Sequence, residues 1–466
     1  MLDIVIMAAG KGTRMKSSRP KALQRLAGRP MLEHVLCLAD SLGAHRLITI
    51  TGHGAQEVES AMRAALPNAP LAFVRQEPQL GTGHAVQQAV PLLPDTGTTL
   101  ILNGDVPLVR RETAQALIDA CAGQRLVLLS MLLPDPHGYG RVLRAEGGLG
   151  ESVLGVVEER DASDEQRAVR EVYTGMMAVP TAQLKRWLAR LTNDNAQREY
   201  YLTDIVKMAV ADGVEVNAVQ TDDPIEGFGI NSPAQLAELE RHYQLRVARR
   251  LMSDGVRLAD PARLDVRGEL QCGRDVEIDV NCVFIGRVTL GNGVSIGPNC
   301  VIANATIADD AVIHPFTHID GEAVGASVGE GALVGPFARL RPGAQLGAQV
   351  HVGNFVEIKN STLAKGAKAN HLAYLGDATV GERVNYGAGS ITANYDGANK
   401  HRTVIGNDVH VGSNCVLVAP IVLGEGATIG GGSTITRDAP AQQLTVARPK
   451  QVSLSGWKRP VKTPKG

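Results

Sequence analysis

The stretch "VGEGALVGPFARLRPGAQLGAQVHVGNFVEI", residues 328–358, decides the architecture of the second half of the chain. Val328, Val334, Leu340, Leu346, Val352 and Ile358 recur every six residues. The same step links Ile278, Phe284, Leu290, Ile296 and Ile302, and again Ile405, Val411, Leu417, Leu423, Ile429 and Ile435. A Gly or other small residue usually follows each aliphatic, and a small or β-branched residue often lies four positions on (Val288, Val294, Cys300). A six-residue period predicts a parallel β-helix, in which three short strands make one triangular coil and aliphatics stack from coil to coil. Such a core is narrow and needs no rings. That accounts for an aromatic content of only 3% and for many of the 51 glycines. The rhythm is read from about residue 275. It fails at 303–327 and at 391–405, "ITANYDGANKHRTVI", where a solenoid insertion predicts a projecting loop suited to binding residues.

Residues 1–231 follow a different pattern. Apolar runs "RLITI" (46–50), "TTLILNGD" (98–105) and "RLVLLSMLL" (125–133) alternate with amphipathic stretches at 30–43 and 110–123. This predicts an α/β domain with a mainly parallel sheet. In 232–255, Leu236, Leu239, Tyr243, Val247 and Leu251 fall near one helical face, Ser232 and Pro233 read as N-cap and first turn, and Gly255 as the stop. The expected organisation is a domain at 1–231, a linker helix at 232–256, and a β-helix domain at 257–466 with the basic tail "KRPVKTPKG" (458–466).

Composition narrows the function. A net charge of −1 over 466 residues offers no global basic field for nucleic acid. No apolar run approaches the ~18 residues of a membrane span. The N-terminus, with Asp3 and no basic-then-apolar start, predicts no secretory signal. Six cysteines without a C-x-x-C pair read as buried small residues in a reducing cytoplasm.

The loop "MAAGKGTRMKSSRPKAL" (7–23) follows the apolar run Leu2, Ile4, Val5, Ile6. Its Gly10-Lys11-Gly12-Thr13 order excludes a P-loop, and Met15 stands where a dinucleotide fingerprint needs its third glycine. Gly10 and Gly12 would still let backbone N–H groups approach a phosphate, with charge from Arg14 and Lys21. Asp105 ends an apolar strand in "LNGDVPL" (102–108) and reads either as a hard-oxygen ligand for Mg²⁺ or as a helix cap. In the solenoid, "AKANHLAYLGDATVGERVNYGAGSITANYDG" (367–397) carries His371. It reads either as a surface imidazole or as a general base, since an ordinary imidazole pKa of about 6.5 suits proton removal near neutrality. His314, His318, His351, His371, His401 and His410 form no three-ligand set at coil spacing for zinc.

The opening loop resembles the signature of sugar-nucleotide pyrophosphorylases, A-A-G-x-G-T-R-[ML] followed by P-K, here Pro20-Lys21. The segments "RQEPQLGTGHA" (75–85), "GYGR" (138–141), "GVVEERDASDEQ" (155–166) and "EGFGIN" (226–231) follow in that family's order. Over essentially its whole length the chain resembles the bacterial bifunctional N-acetylglucosamine-1-phosphate uridylyltransferase/glucosamine-1-phosphate acetyltransferase family. The resemblance implies a Rossmann-like nucleotide-sugar transferase domain followed by a left-handed parallel β-helix. It implies a cytoplasmic homotrimer making UDP-N-acetylglucosamine from glucosamine 1-phosphate, acetyl-CoA and UTP, with the acyl site between subunits. For UTP or UDP-N-acetylglucosamine it implies Met7, Ala8, Ala9, Gly10, Arg14, Lys21, Gln76, Gly81, Thr82, Asn103, Gly104, Asp105, Gly140, Glu158, Tyr173 and Asn231, with Asp105 and Asn231 on Mg²⁺. It implies His371 as base, Arg341, Lys359, Tyr374 and Asn385 for the sugar phosphate, and Ala388, Asn394, Tyr395, Ser413, Gly431 and Arg448 for acetyl-CoA. One departure is Tyr173 in "VYTG", where the family usually has Asn. Two rivals stay open: a pyrophosphorylase for another base or sugar joined to an unrelated acyltransferase, and a solenoid that only trimerises.

Overall fold

The computed structural model describes residues 1–145 and 152–462. Two compact units, Met1–Gln244 and Leu245–Gly466, divide the chain inside the helix Pro233–Ser253. Ser232 caps that helix, its Oγ accepting from Gln235 N at 3.3 Å. Gly255, at φ 96°, ends it, with Val256 N donating back to Leu251 O at 2.9 Å.

The first unit is built on one sheet. Its strand order is Val216–Gln220, Leu126–Leu132, Glu171–Pro180, Thr98–Asn103, Leu2–Met7, Arg46–Thr51, Leu71–Arg75. All neighbours on this path are parallel except Glu171–Pro180, which runs against both of its partners. The apolar runs read from sequence are strands buried on both faces, as helices covering both sides require. The helices Met31–Ser41 and Arg111–Cys121 contribute Leu32, Leu36, Ala114 and Leu117 to one side of the sheet. The order places Leu2–Met7 between strands reached in opposite directions along the chain. A switch point therefore opens beyond Met7 and Asn103.

The second unit is a parallel β-helix. One face stacks Ile278, Ile296, Ile313, Val334, Val352, Ala369, Tyr386, Val411 and Ile429 in register. A second stacks Phe284, Ile302, Ile319, Leu340, Ile358 and Leu375, and a third Leu290, Ile307, Val328, Leu346, Leu363, Val380, Ile405 and Leu423. These side chains are nearly all inaccessible. Each Val, Leu, Ile or Phe among them contributes about 1.5–3 kcal/mol of transfer free energy by burial. The coil begins earlier than the reading from residue 275: Arg257–Leu258 pairs with Glu277–Ile278, and Leu264–Cys272 with Cys282–Leu290. Val266 and Cys272 stack under Phe284 and Leu290, so the six-residue step runs unbroken from Val266 through Ile278, and the slip lies between Leu258 and Val266. Both expected interruptions are insertions. Gly321–Gly325 lengthens the coil between Asp320 and Ala326, and Asn394–His401 loops out between Ala393 and Thr403.

Candidate active sites

At the switch point Gly104 N donates to Met7 O and Ala8 N to Ile50 O, both at 2.9 Å, so three strand ends meet. The opening loop returns over them. Gly12 has φ 61°, and a Cβ there would lie 2.6 Å from Lys21 Cβ. Its missing side chain therefore serves the Lys21 stem rather than a phosphate. Gly10 fits the phosphate reading better, since an added Cβ there meets nothing within 4 Å. Lys21 Nζ donates to Asp105 Oδ2 and, at 2.7 Å, to Asn231 Oδ1; Arg14 Nη2 donates to the same Asn231 oxygen at 2.9 Å. Four residues 217 positions apart at most are thus joined. Asp105 caps no helix, because the next one starts at Arg111 with Arg110 as its N-cap.

A clasp that sequence reasoning missed holds the two chain segments of this site together. Glu226, fully buried, accepts from Arg110 N at 3.0 Å, from the Arg110 guanidinium, and from Thr221 Oγ1 at 3.3 Å. Ile230 N donates to Asp105 O at 2.9 Å beside it. The only sequence signal was the lone carboxylate opening "EGFGIN".

Gln76, Gly81 and Thr82 form a second group. Gln76 Nε2 donates to Gly81 O at 2.8 Å, Leu202 N to Thr82 Oγ1 at 3.1 Å, and Gly83 N to Tyr200 O at 2.7 Å. Ala9, buried, accepts from Gln79 Nε2 through its carbonyl. A third group lies where Tyr173 pairs with Gly140 across two strands. Glu158 accepts from Thr203 Oγ1 at 2.9 Å, and burial pushes its carboxyl above the usual range. Burial likewise raises the Tyr173 phenol, helped by the nearby Glu158 charge. The Tyr173 ring sits in the core with Leu128, Val142 and Val156, only 7% exposed. Its hydroxyl has no partner among the described residues. Asn103 Nδ2 donates to Thr174 O at 3.3 Å.

In the solenoid, coil register assembles the site. His371 pairs with Asn354 one coil earlier, and Asn354 Oδ1 lies 3.1 Å from His371 Nδ1. A proton on Nδ1 then leaves Nε2 as an acceptor. Asn354 was missed; its signal was coil spacing from His371. On the neighbouring face, Arg341 donates to Glu357 Oε1 at 2.9 Å. Lys359 stands against Lys400 from the projecting loop, and this apposition, then desolvation, lowers its pKa below the usual lysine value. Lys400 was also missed, although it lies inside the interruption. Asp377 accepts from Asn360 Nδ2 and Asn394 Nδ2, both at 2.5 Å. An added Cβ on Gly376 would overlap the Tyr374 hydroxyl at 2.2 Å and Asn394 Nδ2 at 2.7 Å, so only glycine leaves room for both side chains. Asn385 is exposed on the His371 face, paired with Lys368 and His410.

Ala388, Ser413 and Gly431 form a column on successive coils: Asn414 N donates to Ala388 O at 2.7 Å and Gly432 N to Ser413 O at 2.8 Å. Arg448 Nη1 closes it on Gly431 O at 2.6 Å. Tyr395 instead bonds Gly397 O within its own loop at 2.6 Å. Among the described residues no cluster of three or more His, Cys, Asp or Glu is placed to hold a metal. Of the basic tail, 458–462 are exposed, and 463–466 lie outside the described residues.

Residues 4–132 match the MobA-like NTP transferase domain, and residues 402–437 the bacterial transferase hexapeptide (six repeats). The bifunctional protein GlmU of Methylibium petroleiphilum is 74% identical over 462 residues, 99% of this chain and 100% of that one. GlmU of Polaromonas naphthalenivorans is 69% identical over 466 residues, 99% and 98%. The chain belongs to the bifunctional GlmU family. Like GlmU, it is a bifunctional transferase of UDP-N-acetylglucosamine synthesis, joining uridylyl and acetyl transfer. Its fold is accordingly a nucleotide-sugar transferase unit followed by a left-handed β-helix of hexapeptide repeats. GlmU chemistry in the first unit is nucleotidyl transfer, which uses a divalent metal. No helix among the described residues is long and apolar enough to cross a membrane.

Proposed function

We propose that the first unit transfers uridylyl from UTP to N-acetylglucosamine 1-phosphate, releasing pyrophosphate, at the site built from Arg14, Lys21, Asp105 and Asn231. The observation that carries this is their convergence at the switch point of the sheet. Asp105 and Asn231 offer one carboxylate and one amide oxygen, hard donors that fit Mg²⁺ shared with phosphates. When bound, Mg²⁺ supplies positive charge against the polyphosphate. Arg14 and Lys21 bind phosphate oxygens, with Met7, Ala8, Ala9 and Gly10 forming the floor. Gln76, Gly81 and Thr82 read the base. Asn103, Gly104, Gly140, Glu158, Tyr173 and Asn231 hold the sugar. Protein groups make no covalent bond here; orientation supplies up to about 7–11 kcal/mol in favourable cases.

The solenoid acetylates glucosamine 1-phosphate from acetyl-CoA beforehand. Arg341, Lys359, Tyr374 and Asn385 hold the sugar phosphate, and Ala388, Asn394, Tyr395, Ser413, Gly431 and Arg448 line the acetyl-CoA site. His371 Nε2 takes the amine proton as nitrogen attacks the thioester. The working divisions are 1–231, 232–256 and 257–466.

The homotrimer reading is supported by one corner of the solenoid. Phe316, Phe337, Phe355 and Leu372 are all half-exposed, with positive φ, and the three rings stack at 5.0 and 5.4 Å. Bulky apolar side chains in that backbone region are strained, and a second copy covering them offsets the cost. A cytoplasmic setting is supported by six free cysteines. Uridylyl transfer assayed with a panel of nucleoside triphosphates and sugar phosphates tests the first reading; a faster reaction with another base or sugar overturns it.

A further inference from the structure

We infer that Lys21 is a resident competitor of the divalent cation, so that metal binds more tightly once nucleotide phosphates draw the Lys21 ammonium away. This rests on reading Asp105 and Asn231 as the metal ligands. The Lys21 ammonium bonds Asp105 Oδ2 and Asn231 Oδ1, one oxygen of each of the two proposed ligands. Arg14 takes the Asn231 oxygen too, at 2.9 Å, so both of its lone pairs are engaged. A Mg²⁺ ion needs oxygen contacts of about 2.0–2.1 Å. It would then sit within a few ångströms of a lysine ammonium held on those same two side chains, which like charge disfavours.

The backbone carrying the two ligands is held in place. Asp105 is held through its carbonyl by Ile230 N, and the neighbouring Gly104 N is bonded to Met7 O. The Arg110–Glu226 clasp fixes the segment that carries Asn231. Lys21 is the mobile partner. Its stem lies along Gly12 as far as Cδ, so only the end carrying the ammonium has to be redirected, and the space beside Gly10 is open. The pair is partly shielded, with Lys21 and Asp105 side chains 12% and 30% exposed, so solvent does not erase the competition. A polyphosphate supplies the new partner for the ammonium. Metal and nucleotide therefore bind with positive coupling, and each must raise the affinity for the other equally.

The test is Mn²⁺ binding to the full chain, followed by electron paramagnetic resonance, with and without UTP. Lys21→Met keeps the stem and removes the charge. It should bind Mn²⁺ alone about tenfold or more tighter than wild type, with a smaller gain on adding UTP. Lys21→Gln serves if the Met variant melts early, and should behave alike. Asp105→Ala should abolish the gain in either background. Equal or weaker Mn²⁺ binding by both neutral variants overturns the competition while leaving the metal site standing. Mn²⁺ binding that ignores Asp105→Ala overturns the metal site itself.

Discussion

The two halves handle the charge needed for phosphate in opposite ways. In the α/β unit the cations are already paired: Lys21 and Arg14 lie on Asp105 and Asn231. In the solenoid two ammoniums, Lys359 and Lys400, face one another, with Arg341 close enough to add to the strain. An anion arriving at the first site must break existing bonds, and its recognition is conditional on what replaces them. An anion arriving at the second relieves repulsion. The first arrangement suits a site that should assemble metal and nucleotide together; the second suits plain capture of a phosphomonoester.

The largest effect should come from cutting the first site alone. Asp105→Ala is expected to lower uridylyl transfer by about 10³ or more, while acetyl transfer on the same preparation continues. The residues proposed for acetyl transfer all lie from Arg341 onward, on different elements. A folded variant losing both activities alike would break the comparison at its root.

Next is His371→Ala, which should cost about 10²–10⁴ in acetyl-transfer kcat. The loss should shrink as pH rises, because free amine becomes plentiful and solvent hydroxide can accept the proton, and uridylyl transfer should not move. Near-native kcat across the neutral range would return His371 to an ordinary surface imidazole.

The two halves also differed in how far sequence could be read. The solenoid was legible because each coil repeats one physical requirement, an inward aliphatic every sixth position. Its loops were legible as breaks in that rhythm. The domain was bounded at 257, but its rhythm was read only from about 275, because the first step, from Leu258 to Val266, is eight residues and Cys272 takes the place of an aliphatic. In the α/β unit the strands were legible as apolar runs, and Asp105 as a carboxylate ending one. Partnership was not: nothing in spacing says that Lys21 reaches Asn231, or that Arg110 closes on Glu226. Those pairs form because the sheet order brings distant strand ends together. Gly12 shows the same limit, since its neighbour is a lysine stem nine residues on and not the phosphate its motif invites.

The solenoid's repulsive pair gives a pH signature. Lys400 is the leading cause of the lowered Lys359 pKa. A lowered lysine pKa means the cation is lost earlier as pH rises, so affinity for a phosphomonoester should begin to fall below the pH expected for an ordinary lysine. N-acetylglucosamine 1-phosphate is the useful probe, having no free amine to titrate. Lys400→Ala should weaken its binding at neutral pH by about tenfold, one charge-assisted contact, and shift the alkaline limb upward. An unshifted limb would mean the two ammoniums do not interact.

The smallest effect separates two tyrosines, one from each half. Tyr173 and Tyr386 are 7% and 3% exposed, and neither hydroxyl has a partner among the described residues. Burying a hydroxyl without a partner costs about 1–3 kcal/mol, so Phe at either position should leave melting unchanged or raise it. The surroundings differ. Tyr386 stands in an aliphatic column between Ala369 and Val411, and its ring simply fills a coil. Tyr173 lies beside Glu158 and pairs with Gly140, where the sugar is proposed to bind. An unpartnered hydroxyl there gains a partner when a sugar hydroxyl arrives, which offsets the cost of leaving it buried. Tyr173→Phe should therefore raise KM for N-acetylglucosamine 1-phosphate several-fold, about the 1 kcal/mol of one neutral hydrogen bond, with kcat and UTP affinity little changed. Tyr386→Phe should leave acetyl transfer untouched. The Phe variant is the cleaner probe than Tyr173→Asn, because removing a buried ring leaves a cavity costing about 3–5 kcal/mol that would mask the contact. If both Phe variants stabilise and neither moves a KM, Tyr173 is core filling like Tyr386, and the sugar is held by Glu158 and Gly140 without it.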